Sequence, residues 1–422
     1  MRFDENITAI VQTQENTTNI EEKNKINILL LGRGGWEHDA PNLTDTIILA
    51  SINTDTGAIS MLSIPRDLYV EYENGSRRGK INRIYEHNLI KFWESSWISA
   101  IKNKVSEITG QDIDYYVNVD FEGFVEIIDV LDWVEVNIPE NFVDNQYPDG
   151  NLGYTTFILR KWVWTLDGKV ALKYARSRHS TSDFDRSVRQ QQILSALKDK
   201  VLWLGYLKSP TKTKNLYSAI RNNIKTDIDV KTILELATIF KWLEETKVLS
   251  FNLNDSCFYG STDCDTWWIL YIPERHLFNN LSVLLPEWSD VENINDYVKI
   301  KKYADIVFDN TEIFSEKAII NIFNSTTEKF IASTLADNLK RYGFSVPSKS
   351  SVGNVREKKF ENSILYYNGL DQDSKTLEKL SDFLDIKMQE VDFPLYADDP
   401  DTKIEIVLGD DYEEITKIDI LY

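Results

Sequence analysis

The chain has 422 residues, enough for two or three domains that each bury a core. Glycine (17) and proline (10) are sparse, and 42% hydrophobic with 12% aromatic residues excludes collagen-like, low-complexity and wholly disordered chains. A formal net charge of -20 argues against broad non-specific nucleic-acid binding, which needs a cationic surface, but it leaves room for one local anion site.

Residues 1–24 are rich in Asn, Thr, Glu and Gln without sustained periodicity and read as a polar leader. No stretch reaches the ~18 apolar residues of a membrane helix, and no secretory signal is visible. The chain therefore reads as soluble as written; an anchor removed upstream would leave the same sequence. From Ile26 the runs KINILLLG, TDTIILASIN, AISMLSIP and DYYVNVDF predict strands that are apolar on both faces and so covered by helices on both sides. Ile90, Trp93, Trp97, Ile101, Val105 and Ile108 recur at spacings of three and four, one face of a helix over 88–108. A second stripe runs from Phe121 to Leu131, Val134 to Ile138 alternates like a strand, and 186–204 predicts a third helix. This alternation predicts an α/β fold, a three-layer α/β/α sandwich on a central mixed sheet.

Helical patterns follow at 214–224 and 229–245, then a strand from Lys247 to Leu253. Cys257 and Cys264 bracket the loop CFYGSTDC. They read either as two free thiols or as a short disulfide, which would imply an oxidising compartment. Two cysteines without a suitably spaced histidine cannot make a four-ligand zinc site. The sequence turns polar and charged at 301–316, which predicts a linker between a unit at 25–300 and a second at 317–422. The second unit predicts a β-α-β-β-α-β order, a small α/β domain, with FSVPS and ENSILYYN among its strands.

The chemistry begins with charge out of place. Residues 172–200, LKYARSRHSTSDFDRSVRQQQILSALKDK, carry seven Lys or Arg against three acids. Arg176 and Arg178 alternate along what reads as an extended segment, so both point to one face. Asp183 is placed as an N-cap, and Arg186 and Gln190, four apart, share the face of the helix that follows. These side chains can converge where guanidinium forks and a helix N-terminus suit phosphate oxygens. A solvated basic face is the competing reading. In SIPRD, Pro65 stops a strand and leaves Arg66 and Asp67 at its carboxyl end, where open α/β sheets bind ligands; an Arg–Asp surface turn is the alternative. In LTDT, Asp45 is a carboxylate at a strand start, by itself more often a cap than a metal ligand. Lys80, in GKIN, is weaker still alone.

Taken in order, LGRGG, LTDTIILASIN, SIPRD, GKIN, DYYVNVDFEGF and RSRH followed by R-x-x-x-Q resemble the catalytic domain of LytR-CpsA-Psr proteins over about 25–205, more weakly to about 295. INIFNST and IVLGDDY in 317–412 resemble the LytR C-terminal domain. The resemblance implies a phosphotransferase, outside the cytoplasm at the bacterial membrane and cell wall, that moves a polyprenyl-pyrophosphate-linked glycopolymer, such as a teichoic acid or capsule, onto peptidoglycan or another surface glycan. It implies Arg66, Lys80, Arg176, Arg178, Arg186 and Gln190 around the pyrophosphate, and Asp45, Arg66, Asp183 and Arg186 in catalysis. It further implies Mg2+ as cofactor, a pyrophosphatase side activity, and a lipid slot along Ile90, Trp93, Trp97 and Ile101; on pattern alone that stripe is ordinary core.

One departure stands out. The family carries an acid in its LG-x-D-x-R segment that joins the later Asp on magnesium, and Arg33 stands near that slot here. Glu37, His38 and Asp39 lie in the same loop, and magnesium's preference for oxygen favours Asp39 as the second ligand beside Asp45. Alternatively, Arg33 contacts phosphate directly and metal dependence is weak. Asp67 or Asp183 is the expected proton acceptor. A non-catalytic binder of the same lipid-linked polymer is the alternative function. A regulator acting on nucleic acid is disfavoured by the charge, and no phosphate-loop, H-E-x-x-H or G-x-S-x-G motif competes.

Overall fold

The computed structural model describes residues 23–35, 41–253 and 269–412, less 56, 74, 92–93, 149–152, 178–182, 206–210, 212–213, 215, 219–220, 222–223, 242–247, 288, 310, 342–343, 347–351, 356–358, 372–373, 393 and 398; within described helices it leaves out the side chains of 88–91, 94–96, 183–184, 234, 237–241, 312, 314–315 and 341. The leader to residue 22 and both cysteines lie outside the described residues.

The chain begins with β1 (Lys25–Arg33), β2 (Thr44–Asn53) and β3 (Ile59–Ser63), then the hairpin β4 (Tyr69–Tyr72) and β5 (Arg77–Lys80). Helices α1 (Arg83–Lys91) and α2 (Glu94–Thr109) lead to β6 (Tyr115–Asp120) and α3 (Phe121–Val130). Next come β7 (Val134–Ile138), β8 (Phe142–Pro148), β9 (Tyr154–Leu159) and β10 (Trp162–Leu166), then α4 (Gly168–Arg176) and α5 (Asp183–Trp203). After β11 (Ile224–Thr226), α6 (Val230–Lys241) and β12 (Val248–Asn252), six strands form one sheet in the order β11-β6-β1-β2-β3-β12. It is mixed: β1 runs parallel to β6 and antiparallel to β2, and β12 is parallel to β3.

Side chains alternate across a strand, so each face of this sheet carries its own apolar set. On one face Leu29, Leu31, Ile47, Leu49 and Leu62 pack with Ile84, Trp97, Ile101 and Val105 of α1 and α2. On the other, Ile26, Ile28 and Ile52 meet Ile228 and Leu236, and Ile48, Ala50 and Met61 meet Leu194. This is the expected three-layer sandwich. A satellite core joins Ile128, Val136, Phe142, Leu159, Ala171 and Ile193 of α3, β7–β9, α4 and α5.

The stripe expected as one helix over 88–108 is two helices, α1 and α2, and Trp97 and Ile101 are only 1% and 0% exposed. Both are buried core beneath β1 and β2 and line neither of the cavities described below, a correction to their expected lipid role: packing against the sheet fills the space around them.

Beyond the short pair β13 (Leu270–Tyr271) and β14 (Leu285–Pro286), the segment expected as a linker is helical: α7 (Val298–Asp309) and α8 (Thr311–Glu316). Ile300, Ala304 and Val307 recur at helical spacing and complete the first core, while Ile306 and Ile313 join the second. The lysines and aspartates between them make the segment read as polar. The C-terminal sheet then takes β15 (Ile319–Asn324), α9 (Ile331–Arg341), β16 (Val352–Asn354), β17 (Ile364–Tyr367), α10 (Lys375–Leu384), β18 (Lys387–Glu390) and β19 (Thr402–Leu408) in the strand order β16-β15-β19-β17-β18. In FSVPS the described residues 344–346 are not a strand: Phe344 and Val346 turn into the core, and Ser345 O accepts from Ile320 N–H at 2.9 Å without a ladder.

Candidate functional site

Asp45 is the second residue of β2, and Arg66 stands three residues past the end of β3. The antiparallel pairing of Ile48 with Ser63, continued outward, brings them opposite one another. Arg66 Nη1 donates to Asp45 Oδ1 at 2.7 Å. A row of alternating charge continues from there: Arg66 Nε lies 3.8 Å from Asp67 Oδ2, and Lys80 Nζ lies 2.7 Å from Asp67 Oδ1. The hairpin dictates the last contact, because β4 and β5 place Lys80 against Tyr69, two residues after Asp67.

Arg186, in the first turn of α5, is buried at 5% exposure, with Nη2 3.5 Å from the carbonyl oxygen of Asp45. Arg176 is the last residue of α4, not part of an extended segment as its spacing from Arg178 predicted. Asp167 caps that helix by accepting from Val170 N–H at 2.8 Å, and the capped run GKVALKYAR is amphipathic at the helical period. The Arg176 guanidinium lies 4.1 Å from the ring centre of Phe121 and within electrostatic reach of the Tyr147 hydroxyl. Burial pushes the Tyr147 phenol above the ordinary tyrosine range, with Arg176 pulling the other way.

These side chains border a polar cavity of about 210 Å³, lined by Asp45, Thr46, Phe121, Asp144, Tyr147, Pro148, Arg176, Ser177, Arg186 and Gln190. A narrower recess beside it adds Arg66 to Asp45, Arg186 and Gln190. A second cavity of about 140 Å³ is apolar, bounded by Leu30, Ile48, Val117, Val119, Phe124, Leu172 and Leu194 between the sheet and helices α3, α4 and α5. Thr46, Phe121, Arg176 and Gln190 line both, so guanidinium and amide stand where the polar hollow meets the apolar one. The apolar space is thus on the opposite face of the sheet from Trp97 and Ile101.

The fold brings together Asp45, Arg66, Arg176, Arg186 and Gln190. Lys80 borders neither cavity and is held by Asp67, and Asp67 borders neither as well. Arg178, Asp39 and Trp93, and the side chains of Ile90 and Asp183, lie outside the described residues; Asp183 is the first residue of α5. Arg33 does not reach the polar cavity: it is 7% exposed, its Nη2 sits 3.2 Å from Asp120 Oδ2, and its guanidinium is 5.7 Å from the Tyr85 ring centre. Asp120 also caps α3, accepting from Gly123 N–H at 2.9 Å, so Arg33 ties the end of β1 to a helix start. Direct phosphate contact by Arg33 is therefore not its placement.

Among the described residues no group of three or more His, Cys, Asp or Glu side chains gathers as a metal site. Magnesium bound through phosphates needs only one or two carboxylates, and Asp45 on the polar cavity fits that donor set.

Sequence reasoning missed Thr46, Asp144, Tyr147 and Ser177 in the polar lining. It also missed Arg189, which is 5% exposed, donates from Nε to Tyr174 O at 3.0 Å and from Nη2 to Ser177 O, and stacks 4.8 Å from the Phe142 ring centre. Arg189 thereby fixes the backbone just beyond Arg176. Phe121 had a signal, the DFEGF segment that ends β6.

The LytR_cpsA_psr family model matches residues 3–282. The chain belongs to this family. The family described as LytR cell envelope-related transcriptional attenuator matches 318–412, the C-terminal sheet. The polyisoprenyl-teichoic acid–peptidoglycan teichoic acid transferase TagU of Oceanobacillus iheyensis is 33% identical over 222 residues, 52% of this chain and 63% of that protein. The cell wall biosynthesis protein LcpA of Corynebacterium glutamicum is 26% identical over 365 residues, 82% of this chain and 64% of that one. The match thus spans less than two thirds of either relative. Protein gbs0355 of Streptococcus agalactiae shares the fold, at a TM-score of 0.50 and 18% identity over 70% of this chain and 92% of that one. This LytR-CpsA-Psr chain therefore carries both matched regions in the order its motifs implied.

Proposed function

We propose that this LytR-CpsA-Psr protein transfers a polyprenyl-pyrophosphate-linked glycopolymer of the teichoic acid or capsule kind onto peptidoglycan or another surface glycan. The observation that carries the reading is the junction at Arg176 and Gln190, where a cavity lined by cationic side chains adjoins an apolar one. A polyprenyl pyrophosphate has that same division: a doubly charged head and a greasy tail.

The head sits among Arg66, Arg176 and Arg186, whose planar forks match phosphoryl oxygens. The first isoprene units enter the space between Leu30, Ile48, Val119 and Leu194. An acceptor hydroxyl attacks the phosphorus that bears the polymer, and polyprenyl phosphate leaves. Such transfers need alignment and charge neutralisation more than covalent help, and both come from fixed guanidinium groups. Arg66 is aligned by Asp45 and Asp67, and Arg176 is held over the ring of Phe121. Magnesium, when bound, supplies further neutralisation of phosphoryl charge, and Asp45 would hold it. The donor is a membrane lipid, so the protein works at the extracytoplasmic membrane surface; among the described residues no helix is long and apolar enough to cross a membrane.

The test is release of polyprenyl phosphate from a lipid-linked donor by wild type and Arg66→Ala. Loss of the carboxylate-aligned guanidinium is expected to slow release about a hundredfold, the usual cost of one preorganised charge-stabilising donor. Equal rates would remove Arg66 from the reaction, and failure of the wild type to bind geranylgeranyl pyrophosphate would end the transferase reading.

A further inference from the structure

Resting on that reading, one buried carboxylate in the polar cavity remains without a role. Asp144 lines it and is 0% exposed. Its Oδ1 accepts from Gln146 N–H at 3.0 Å, while its buried Oδ2 has no hydrogen-bond partner among the described residues. A buried carboxylate oxygen left unsatisfied in a folded protein is costly and calls for a function.

The backbone is shaped to put it there. In a regular strand, residues three apart face opposite sides. Between β8 and β9 the register slips: Asp144 pairs with Phe157, but Tyr147 pairs with Thr155, so three steps on one strand match two on the other. The bulge turns both Asp144 and Tyr147 inward and leaves Asn145 and Gln146 exposed. Asp144 is opposite in charge to Arg176 and Arg186, which line the same hollow. Asp144 also lies within electrostatic reach of Tyr147 and of the buried Arg189.

We infer that Asp144 is the base that receives the proton of the attacking hydroxyl, and that the β8 bulge forms the acceptor side of the site. A carboxylate facing a diphosphate repels it, so this group is misplaced as a phosphate ligand and well placed for a hydroxyl hydrogen. As the acceptor oxygen bonds to the polymer-bearing phosphorus, its proton passes to Asp144 Oδ2. The bond from that phosphorus to the bridging oxygen breaks, and the electron pair leaves with polyprenyl phosphate. The products are a glycan–phosphodiester and the lipid monophosphate, and Asp144 then returns its proton to water. Asp67, held by Lys80 outside the cavity, is replaced in this role.

Asp144→Asn in the full chain separates the possibilities, because it keeps the shape and the bond from Gln146. Calorimetric titration with geranylgeranyl pyrophosphate reads binding, and lipid monophosphate release from a geranylgeranyl-pyrophosphate-linked sugar, with a muramidase-released peptidoglycan fragment as acceptor, reads turnover. The variant is expected to bind the pyrophosphate as tightly as wild type or more tightly, having lost a like charge, while turnover falls roughly 10²–10⁴-fold. Turnover within threefold of wild type would overturn the inference. So would a parallel fall in pyrophosphate affinity, which marks a metal or phosphate ligand, or a variant that fails to fold, which marks a structural carboxylate. A wild type that binds and turns over alongside an equally active Asp144→Asn leaves the transferase reading standing and removes only the base.

Discussion

Filling the apolar cavity is expected to make this protein more stable and less able to hold its lipid. Val119 lies at the end of β6 and lines the space of about 140 Å³ together with Leu30, Ile48, Phe124, Leu172 and Leu194. Open volume in a protein interior costs roughly 24 cal/mol per Å³, so a ring that occupies about a third of the space recovers on the order of 1 kcal/mol. Val119→Phe does this without adding a polar atom. The same ring removes room for one five-carbon unit of a polyprenyl chain. At about 0.8 kcal/mol per buried carbon, that withdraws about 4 kcal/mol of binding, on the order of a thousandfold in Kd. Urea denaturation of the unliganded chain and calorimetry with geranylgeranyl pyrophosphate read the two effects separately. Stability raised and affinity lost together is the signature of a functional hollow. A variant that binds as well as wild type would refute the assignment of the tail to this space. A variant destabilised by overpacking would refute the volume itself.

Other consequences follow from particular contacts. Arg186→Ala removes a buried guanidinium beside the carbonyl of Asp45, and pyrophosphate affinity is expected to fall about 10–100-fold by calorimetry, more steeply than for Lys80→Ala, which lies off the cavity. Gly168 admits no side chain, because a Cβ there would stand 2.4 Å from Val125 O and 2.7 Å from Val125 Cα; Gly168→Ala is expected to cost about 1–3 kcal/mol in urea denaturation by parting α3 from α4. Glu316 accepts from Ser374 Oγ and from the N–H groups of Lys375 and Thr376 at the start of α10; although burial opposes it, these bonds hold its carboxyl below the ordinary glutamate range. A depressed folded pKa gives stability that is complete above about pH 5 and lost as pH falls through the folded value. Glu316→Gln should therefore lower stability by about 1 kcal/mol at pH 7, discounted for partial exposure, with the gap to wild type closing toward pH 3.

The amino-acid sequence alone located five of the six strands of the central sheet, because apolar runs such as ILLL in KINILLLG and IILA in TDTIILASIN can be satisfied only by cover on both faces; β11 (Ile224–Thr226) lay at the end of a stretch that read as helical. Charge at strand ends and at a helix start, read together with the family resemblance, also pointed to Asp45, Arg66, Arg176, Arg186 and Gln190. Which apolar surface stays open was a different matter. The stripe of Trp97 and Ile101 and the lining of Leu30, Val119 and Leu194 are equally greasy in one dimension, and only the packing of α2 against one face of the sheet and of α3–α5 against the other filled the first and left the second hollow. The role of Arg33 depended on its distance to Asp120, 87 residues away in sequence. Asp144 and Tyr147 were silent because a bulge of one residue, set by pairing with β9, decides which way they face. Periodicity and charge are properties of neighbours along the chain, whereas cavities and buried charge partners arise between segments that meet only when it folds.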